Sequence, residues 1–539
     1  MGAWQVLRFL PEDKVYAQHE LADLDTPYSP QTPTNGGPNV NCIVILCDTL
    51  RRDHCGPYHQ GRPLSEVYSD EQPDWVVETP NMNRLADRGT TFDNAYNGST
   101  PCMPARRDIY TGRFDFLERG WGPLEPGDKD LPRQVSGPPN SSIHKATSEG
   151  YNVSKLITDH YHLWHPGSGN YHFGYTGYEF IRGQEGDAWK TAPVSFETPD
   201  GEDSKLERHF RNVTMTREGE EDHFAAQVFT EAADWIDRNH EREDFYLHID
   251  CFDPHQPWEP PESLLKEFDS RGYDISDWDS LPDGEGEYTE DEVRHIQARY
   301  AAMVRLVDRW LGELLDALDR HDLWEDTMVV FTTDHGTFNG DHGYTDKFPI
   351  PQTHNREPCA HIPFILSHPE LAQGERRDQL VQLVDIYPTV LNALGRDCPD
   401  NRHGCGLEPV LRDPEADLRD YAISGEWGHS VSITDGEWIL HQAPEPENKP
   451  LFWYGITGEK RDDTGRYDPE RGRRPANQDY PVDEIPTWLS NLRDDPNERV
   501  NLADERPDKL RKMQRALKTT LQDLDAPSEQ LERLGIADA

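Results

Sequence analysis

Cysteine, basic charge and long apolar runs are all scarce in this chain of 539 residues. Its eight cysteines, Cys42, Cys47, Cys55, Cys102, Cys251, Cys359, Cys398 and Cys405, form no CxxC pair and no regular framework. That excludes a disulfide-framed scaffold and a zinc ribbon. Cys398 and Cys405 lie close enough in sequence to bridge, and most of the others read as small buried apolar residues. Lysine and arginine total 54 against 101 acidic residues, a net charge of −47 spread along the whole chain. No basic footprint for nucleic acid exists at the global level. Arginine outnumbers lysine, and an acidic, lysine-poor surface resembles that of proteins from halophiles, where concentrated salt screens self-repulsion. No apolar stretch is long enough for a membrane span. The opening "MGAWQVLRFLPEDKVYAQHE" lacks the basic and apolar regions of a signal peptide, so the expectation is a soluble, cytoplasmic protein with no membrane partner.

What is present is organised. Apolar residues make up only 34% of the chain, but they come in compact runs that suffice for a core. The length favours a large catalytic domain and a smaller one. Residues 1–38 read as a polar lead-in ending in "TPTNGGPN". Continuous apolar runs follow: "CIVILCD" (Cys42–Asp48), "DFYLHIDCF" (Asp244–Phe252), "TMVVFTTD" (Thr327–Asp334) and "IPFILS" (Ile362–Ser367), with "YNVSKLITD" (Tyr151–Asp159) a weaker one. Such runs are strands buried on both faces, as in a parallel sheet. Helical periodicity separates them over Asp222–Arg238 and Asp291–His321, the latter about eight turns long. The pattern predicts an α/β catalytic domain over 39–412 with a large, mostly parallel central sheet flanked by helices. Residues 413–539 read as a small α+β subdomain, with short antiparallel strands around a "DG" turn at Asp435-Gly436 and a last amphipathic helix over Arg506–Leu524.

Ligands of such sheets sit beyond the carboxyl ends of the strands. Here those ends carry chemistry: Asp48, Asp334-His335, "DPHQPW" (Asp253–Trp258) and "TDHYH" (Thr158–His162). Any one aspartate could be a helix N-cap; the recurrence points to a site. Two carboxylates and an imidazole from separate strand ends suit a divalent metal. In "DHG" the glycine lets the backbone approach closely. Arg51 and Arg52, just after Asp48, are candidates to hold an anion near that metal. His255, framed by prolines, is a candidate general acid or base, and Lys347 a candidate donor to an anionic ester. "STPCMPARRDIYTGR" (Ser99–Arg113) places Cys102 among hydroxyls and arginines. Pairing, zinc binding and thiolate attack each fit poorly, and the residues alone leave an anion-binding cysteine near a divalent metal.

"CMPARRDIYTGR" resembles the sulfatase signature, Cys-x-Pro-Ser/Ala-Arg followed by Thr-Gly. The order of "ILCDTLRRDH", "TPNMNRLADRGTTFDNAY", "GYNVSKLITDHYH", "DPHQPW", "TTDHGTFNGDHGYTDK", "VDIYPTVLNALG" and "NLRDDPNERVNLA" matches that family too, over roughly residues 40–505. By this resemblance the chain is identified as a member of the sulfatase branch of the alkaline-phosphatase-like superfamily. The resemblance implies hydrolysis of sulfate esters of small molecules or saccharides. It implies that Cys102 is oxidised to formylglycine by a formylglycine-generating enzyme. The hydrated aldehyde, a geminal diol, then attacks sulfur, and its second hydroxyl lets sulfate leave without a separate hydrolysis step. Asp48, Cys102, Asp334 and His335 are the implied ligands of one divalent ion. Arg106 is implied to hold the formylglycine, while His255 and Lys347 contact the sulfate or protonate the leaving oxygen. His162 matches a family histidine.

Three departures stand out. Thr49 follows Asp48 where many relatives have a second aspartate, His335 stands where many have asparagine, and His160 stands where a sulfate-binding lysine is usual. The first two resemble the phosphonate monoester hydrolase and choline sulfatase side of the family. Calcium is the family's usual ion, but an imidazole ligand also suits Mn²⁺ or Zn²⁺, and Mg²⁺ remains open. A phosphonate or phosphate ester hydrolase is therefore the alternative function, and a non-catalytic binding protein a minor one. The loop Pro166–Ser204, with Arg182 and Trp189, reads either as a surface for the sugar or aryl group or as a structural lid.

Overall fold

The computed structural model describes residues 40–538 except 70, 126, 138–142, 144–146, 148–149, 194–203, 271–288, 349–352, 372, 447 and 455–484. The polar lead-in 1–38 lies outside the described residues, as does the end of the loop Pro166–Ser204.

The first apolar run forms β1 (Asn41–Cys47), buried at every position. Alternation sends Ile43, Ile45 and Cys47 into one core and Cys42, Val44 and Leu46 into another. The first core is closed by the helices Phe224–Asn239 and Glu290–Arg320, the second by Cys102–Thr111 and Ile386–Ala393. Each large apolar side chain so buried contributes about 1.5–3 kcal/mol of transfer free energy. The helix Glu290–Arg320 starts in a capping box: Thr289 N–H donates to Glu292 at 2.7 Å and Glu292 N–H donates back to the Thr289 hydroxyl at 3.3 Å.

The remaining strands of the main sheet are β2 (Thr90–Tyr96), β3 (Ser154–Thr158), β4 (Gly177–Phe180), β5 (Tyr246–Cys251), β6 (Thr327–Thr332), β7 (Phe364–Ser367) and β8 (Glu375–Gln382). They lie in the order β4-β3-β5-β1-β6-β7-β2-β8. All neighbours are parallel except that β7 runs against both β6 and β2. "IPFILS" is thus a buried strand, but an antiparallel one, because burial on both faces leaves strand direction open. Strands β2, β4 and β8 escape the sequence pattern: their exposed or polar positions break the apolar run.

The C-terminal subdomain is a four-stranded antiparallel sheet, ordered β12-β11-β10-β9, of β9 (Ala422–Gly425), β10 (Val431–Thr434), β11 (Trp438–Gln442) and β12 (Trp488–Asn491). Asp435-Gly436 turns β10 into β11, with Gly436 at φ 83°. The helix Pro507–Asp523 covers it through Met513, Leu517 and Leu521. This sheet touches the front of the main domain directly, since Thr100 N–H donates to the Gly425 carbonyl at 3.0 Å. Cys398 and Cys405 are free thiols, so no bridge joins them. Among the described residues no helix is long and apolar enough to cross a membrane.

Candidate active site

Parallel register brings the strand ends together. Leu46 of β1 lies beside Asp250 of β5 and Thr332 of β6, and Thr158 of β3 lies beside the same Asp250. Asp48, Asp159-His160, Asp250 with Asp253–His255, and Asp334-His335 therefore emerge at one edge of the four central strands. The helix Cys102–Thr111 meets that edge with its first residue. Arg106, one turn on, shares a face with Cys102 and donates to its carbonyl at 3.2 Å.

Asp48, Cys102, Asp334 and His335 are all buried, and one donor atom from each lies within 4.8 Å of the others. The Cys102 Sγ, which stands in for the oxygen a formylglycine would place there, is 3.3 Å from His335 Nε2 and 4.0 Å from Asp48. His335 Nδ1 pairs with the Gly336 carbonyl at 2.8 Å, which leaves the Nε2 lone pair facing the cluster. Gly336 is required here: a Cβ would sit 2.0 Å from the Pro358 carbonyl oxygen. Thr49, at φ 65°, donates its N–H to Asp334 at 3.0 Å and its hydroxyl to Asp48 at 2.6 Å. It ties both carboxylates in position, and its left-handed backbone is the kind of strain that functional sites retain.

Arg106 donates to Asp250 at 2.7 and 2.8 Å and to Asp334 at 2.7 Å, and lies 3.0 Å from Asp48, with every partner fully buried. Three carboxylates against one guanidinium leave two negative charges out of water. Burial and the neighbouring Asp48 push the Asp334 carboxyl up, and burial with Asp48 and Asp334 pushes the Cys102 thiol well up. A buried charge excess of two with mixed oxygen and nitrogen donors fits a divalent cation, and the donor chemistry therefore agrees with a metal at this place.

His255 and Lys347 pair directly, Nζ to Nε2 at 2.8 Å, while His255 Nδ1 bonds the Gln256 carbonyl. Burial and then the Lys347 charge hold the His255 imidazole well below its ordinary value. Burial alone would lower Lys347; Asp346, Cys102, Glu185 and Asp48 outweigh it and hold the ammonium above its ordinary value. His162 lies at the mouth, with Nε2 3.7 Å from Glu185, and His160 sits deeper, 3.3 Å from Asp48.

Asp48, Cys102, Arg106, Asp334, His335, His255 and Lys347 thus lie together, with His162 beside them near Glu185. Two anion-binding candidates do not belong: Arg51 turns away to a buried pairing with Asp53 and Asp341, and Arg52 sits 3.6 Å from Asp93. Arg182 and Trp189 make contacts within their own loop, as the structural-lid reading has it. Arg182 is braced on Asp187 at 2.6 and 2.7 Å, and Trp189 packs on Gly183 and beneath Lys190. Three site residues escaped sequence reading: Thr49 as a tether, Asp250 and Glu185. Asp250 had a usable signal, a lone carboxylate inside an otherwise buried strand, which needs a buried partner.

The parallel sheet with its strand-end cluster defines the alkaline-phosphatase-like α/β architecture. The sulfatase family model matches residues 40–396, and the chain belongs to the sulfatase family. Arylsulfatase K of Homo sapiens is 27% identical over 398 residues, 68% of this chain and 66% of that protein. The match to the rat protein covers 61% of its length. A solved structure described as in complex with its substrate D-glucosamine-2-N,6-O-disulfate superposes with TM-score 0.61 at 16% identity, covering 90% of this chain and 98% of that one. The phosphonate monoester hydrolase of Agrobacterium radiobacter gives TM-score 0.58 at 19% identity, covering 90% and 95%.

Proposed function

We propose that the protein hydrolyses sulfate esters, with residue 102 acting as formylglycine and one divalent ion held by Asp48, residue 102, Asp334 and His335. The observation that carries this is the buried four-residue cluster around Arg106, with the Lys347–His255 pair at its side. A bound divalent ion would supply Lewis acidity toward the ester oxygens, and a hydrated aldehyde at 102 two hydroxyls on one carbon. The chain's own residues do the rest. Arg106 fixes the Cys102 carbonyl and both aspartates, so the reacting atom is placed before substrate arrives. Lys347 carries the positive charge that a sulfate group needs in an otherwise acidic protein. Its Nζ–H donates to His255 Nε2, so the proton rests on Lys347, and the pair is available to contact the sulfate or to protonate the leaving oxygen. A thiol at 102 would be a poor nucleophile, because burial and two carboxylates oppose its ionisation.

A second reading, hydrolysis of phosphonate or phosphate esters, draws support from Thr49 and His335 and from the likeness to the phosphonate monoester hydrolase fold. The test compares kcat/KM on phenyl sulfate, phenyl phenylphosphonate and a phosphodiester, with mass analysis of the tryptic peptide Gly89–Arg106 from the active protein. Sulfate turnover with an aldehyde at 102 is expected. Phosphonate turnover higher by orders of magnitude moves the second reading ahead, and an intact thiol in active protein removes the formylglycine.

A further inference from the structure

The loop Ile181–Trp189 holds a residue that no motif singles out. Glu185 is a non-glycine residue at φ 39°, in the left-handed region that strains a side-chain-bearing residue. Several contacts over-determine that conformation. Glu185 N–H donates to His209 Nδ1 at 2.9 Å, and His209 Nε2 in turn pairs with Glu259 at 2.8 Å. Gln184, one residue before, donates to Asp253 at 3.2 Å and Asp159 at 3.4 Å, anchoring the loop to two strand ends. On the other side Arg182 and Gly183 N–H bind Asp187, and Asn212 donates to the carbonyls of Gly183 and Asp187. The loop is braced from both directions, and what it delivers to the site is one carboxylate.

That carboxylate lies among the groups at the mouth. It accepts the Tyr161 hydroxyl at 2.8 Å and stands 3.7 Å from His162 Nε2. Glu185, His162 and Lys347 keep 13%, 16% and 18% of their side-chain exposure, whereas Asp48, Arg106 and Asp334 keep none. These three groups therefore form the rim that an incoming substrate crosses. Glu185 also helps hold the charge on Lys347, so it shares the field of the sulfate pocket. A carboxylate beside an anion-binding pocket opposes the anion and is an acceptor only. Its contribution to binding becomes favourable when the substrate brings a donor to it.

Resting on the hydrolase reading above, we infer that Glu185 selects the alcohol half of the substrate: it accepts a hydrogen bond from a hydroxyl or amine adjacent to the ester, and so favours a vicinal polyol or amino-alcohol sulfate over a plain aryl sulfate or one with a second adjacent anion. A site built to accept a substrate O–H rejects the analogue that lacks it, because its buried polar group then loses water without gaining a partner.

Catechol monosulfate and phenyl sulfate differ only by a hydroxyl beside the ester, which makes them the probes. Calorimetry on the Cys102→Ala protein is expected to show catechol monosulfate binding about 10-fold or more tighter than phenyl sulfate, the size of one charge-assisted hydrogen bond. In Cys102→Ala/Glu185→Ala that ratio is expected to fall toward one, and in Cys102→Ala/Glu185→Gln, which keeps an acceptor oxygen, to fall part of the way. Equal affinities in the parent, no measurable binding of catechol monosulfate, or a ratio unchanged by Glu185→Ala overturns the inference. Hydrolysis by the wild-type protein is read separately: no turnover of any sulfate ester overturns the hydrolase reading whatever the binding ratio shows.

Discussion

Arg106 sets the energetics of the site at the scale of single residues. Its guanidinium meets Asp48, Asp250 and Asp334 with no exposure on any partner, and the sum of charges is minus two. Uncompensated buried charge costs several kcal/mol per ion even after relaxation. A divalent ion at the cluster would therefore stabilise the fold as well as complete the site proposed above. Exhaustive chelation is expected to lower the thermal midpoint, and re-addition of Ca²⁺, Mn²⁺, Mg²⁺ or Zn²⁺ one at a time to restore it, with the recovery ranking their affinities. An ion at 100 times its Kd adds about 2.7 kcal/mol. A midpoint indifferent to chelator and to every ion removes the metal assignment, and it does so without an activity measurement. Asp48, Asp334 and His335 were legible because they close apolar runs, where polar residues have no structural reason to gather, whereas Cys102 opens a helix after a polar stretch and was legible only through the signature it resembles. Glu185 was not, and Asp250 was legible only as a carboxylate in need of some buried partner, not as a partner of Arg106. Asp250 sits inside a strand and depends on a partner 144 positions away, and Glu185 depends on a backbone angle that composition does not reveal.

Among the elements, the last turn-rich segment does more than end the chain. Glu498 sits fully buried at φ 51° between the main domain and the small sheet. Its carboxylate pairs with His441 of β11 and accepts the Glu357 N–H at 2.8 Å, and its carbonyl takes Arg356 at 2.7 Å. Burial would raise this carboxyl, but His441, Arg356 and the Glu357 amide outweigh it and hold it at about 2, below the ordinary 4.5. A carboxyl lowered on folding stabilises fully above its unfolded value, and that stabilisation is lost as pH falls from about 4.5 to about 2. The shift corresponds to about 3 kcal/mol. Glu498→Gln is expected to cost that much in urea unfolding at neutral pH, with the gap from wild type closing across that acid window. A gap that stays constant with pH assigns the cost to packing instead. Elements of this kind mark the limit of pattern reading. β1, β5 and β6 announce themselves as apolar runs, and the helix Glu290–Arg320 by its period. β4 and β8, the two edge strands, carry exposed residues, and β2, though largely buried, is interrupted by the half-buried polar pair Asp93 and Asn94, so the continuous apolar run being sought is absent from all three.

The whole molecule carries 101 acids against 54 bases. Many of the bases are committed to surface pairs, such as Arg84 with Asp316 and Asp319, Arg309 with Glu220, and Arg320 with Asp237. Added salt weakens these pairs, which destabilises, and also weakens the mutual repulsion of the unpaired acids, which stabilises. Exposed pairs contribute about 0–1 kcal/mol each at most. The acids exceed the bases by 47, so even complete pairing leaves a repulsive field over the surface, and the second effect is the larger. The thermal midpoint is therefore expected to rise with KCl. Screening acts mainly while the Debye length shrinks from about 10 Å at 0.1 M to about 3 Å at 1 M, so the rise should be steep over that range and then flatten. Salt that acts by exclusion from the surface gives a different curve, one that keeps climbing and is steeper for sulfate than for chloride. A midpoint that climbs without flattening assigns the effect to hydration of the acidic surface. A midpoint that falls with KCl shows instead that the surface pairs outweigh the repulsion, and that the acidic composition reflects something other than adaptation to concentrated salt.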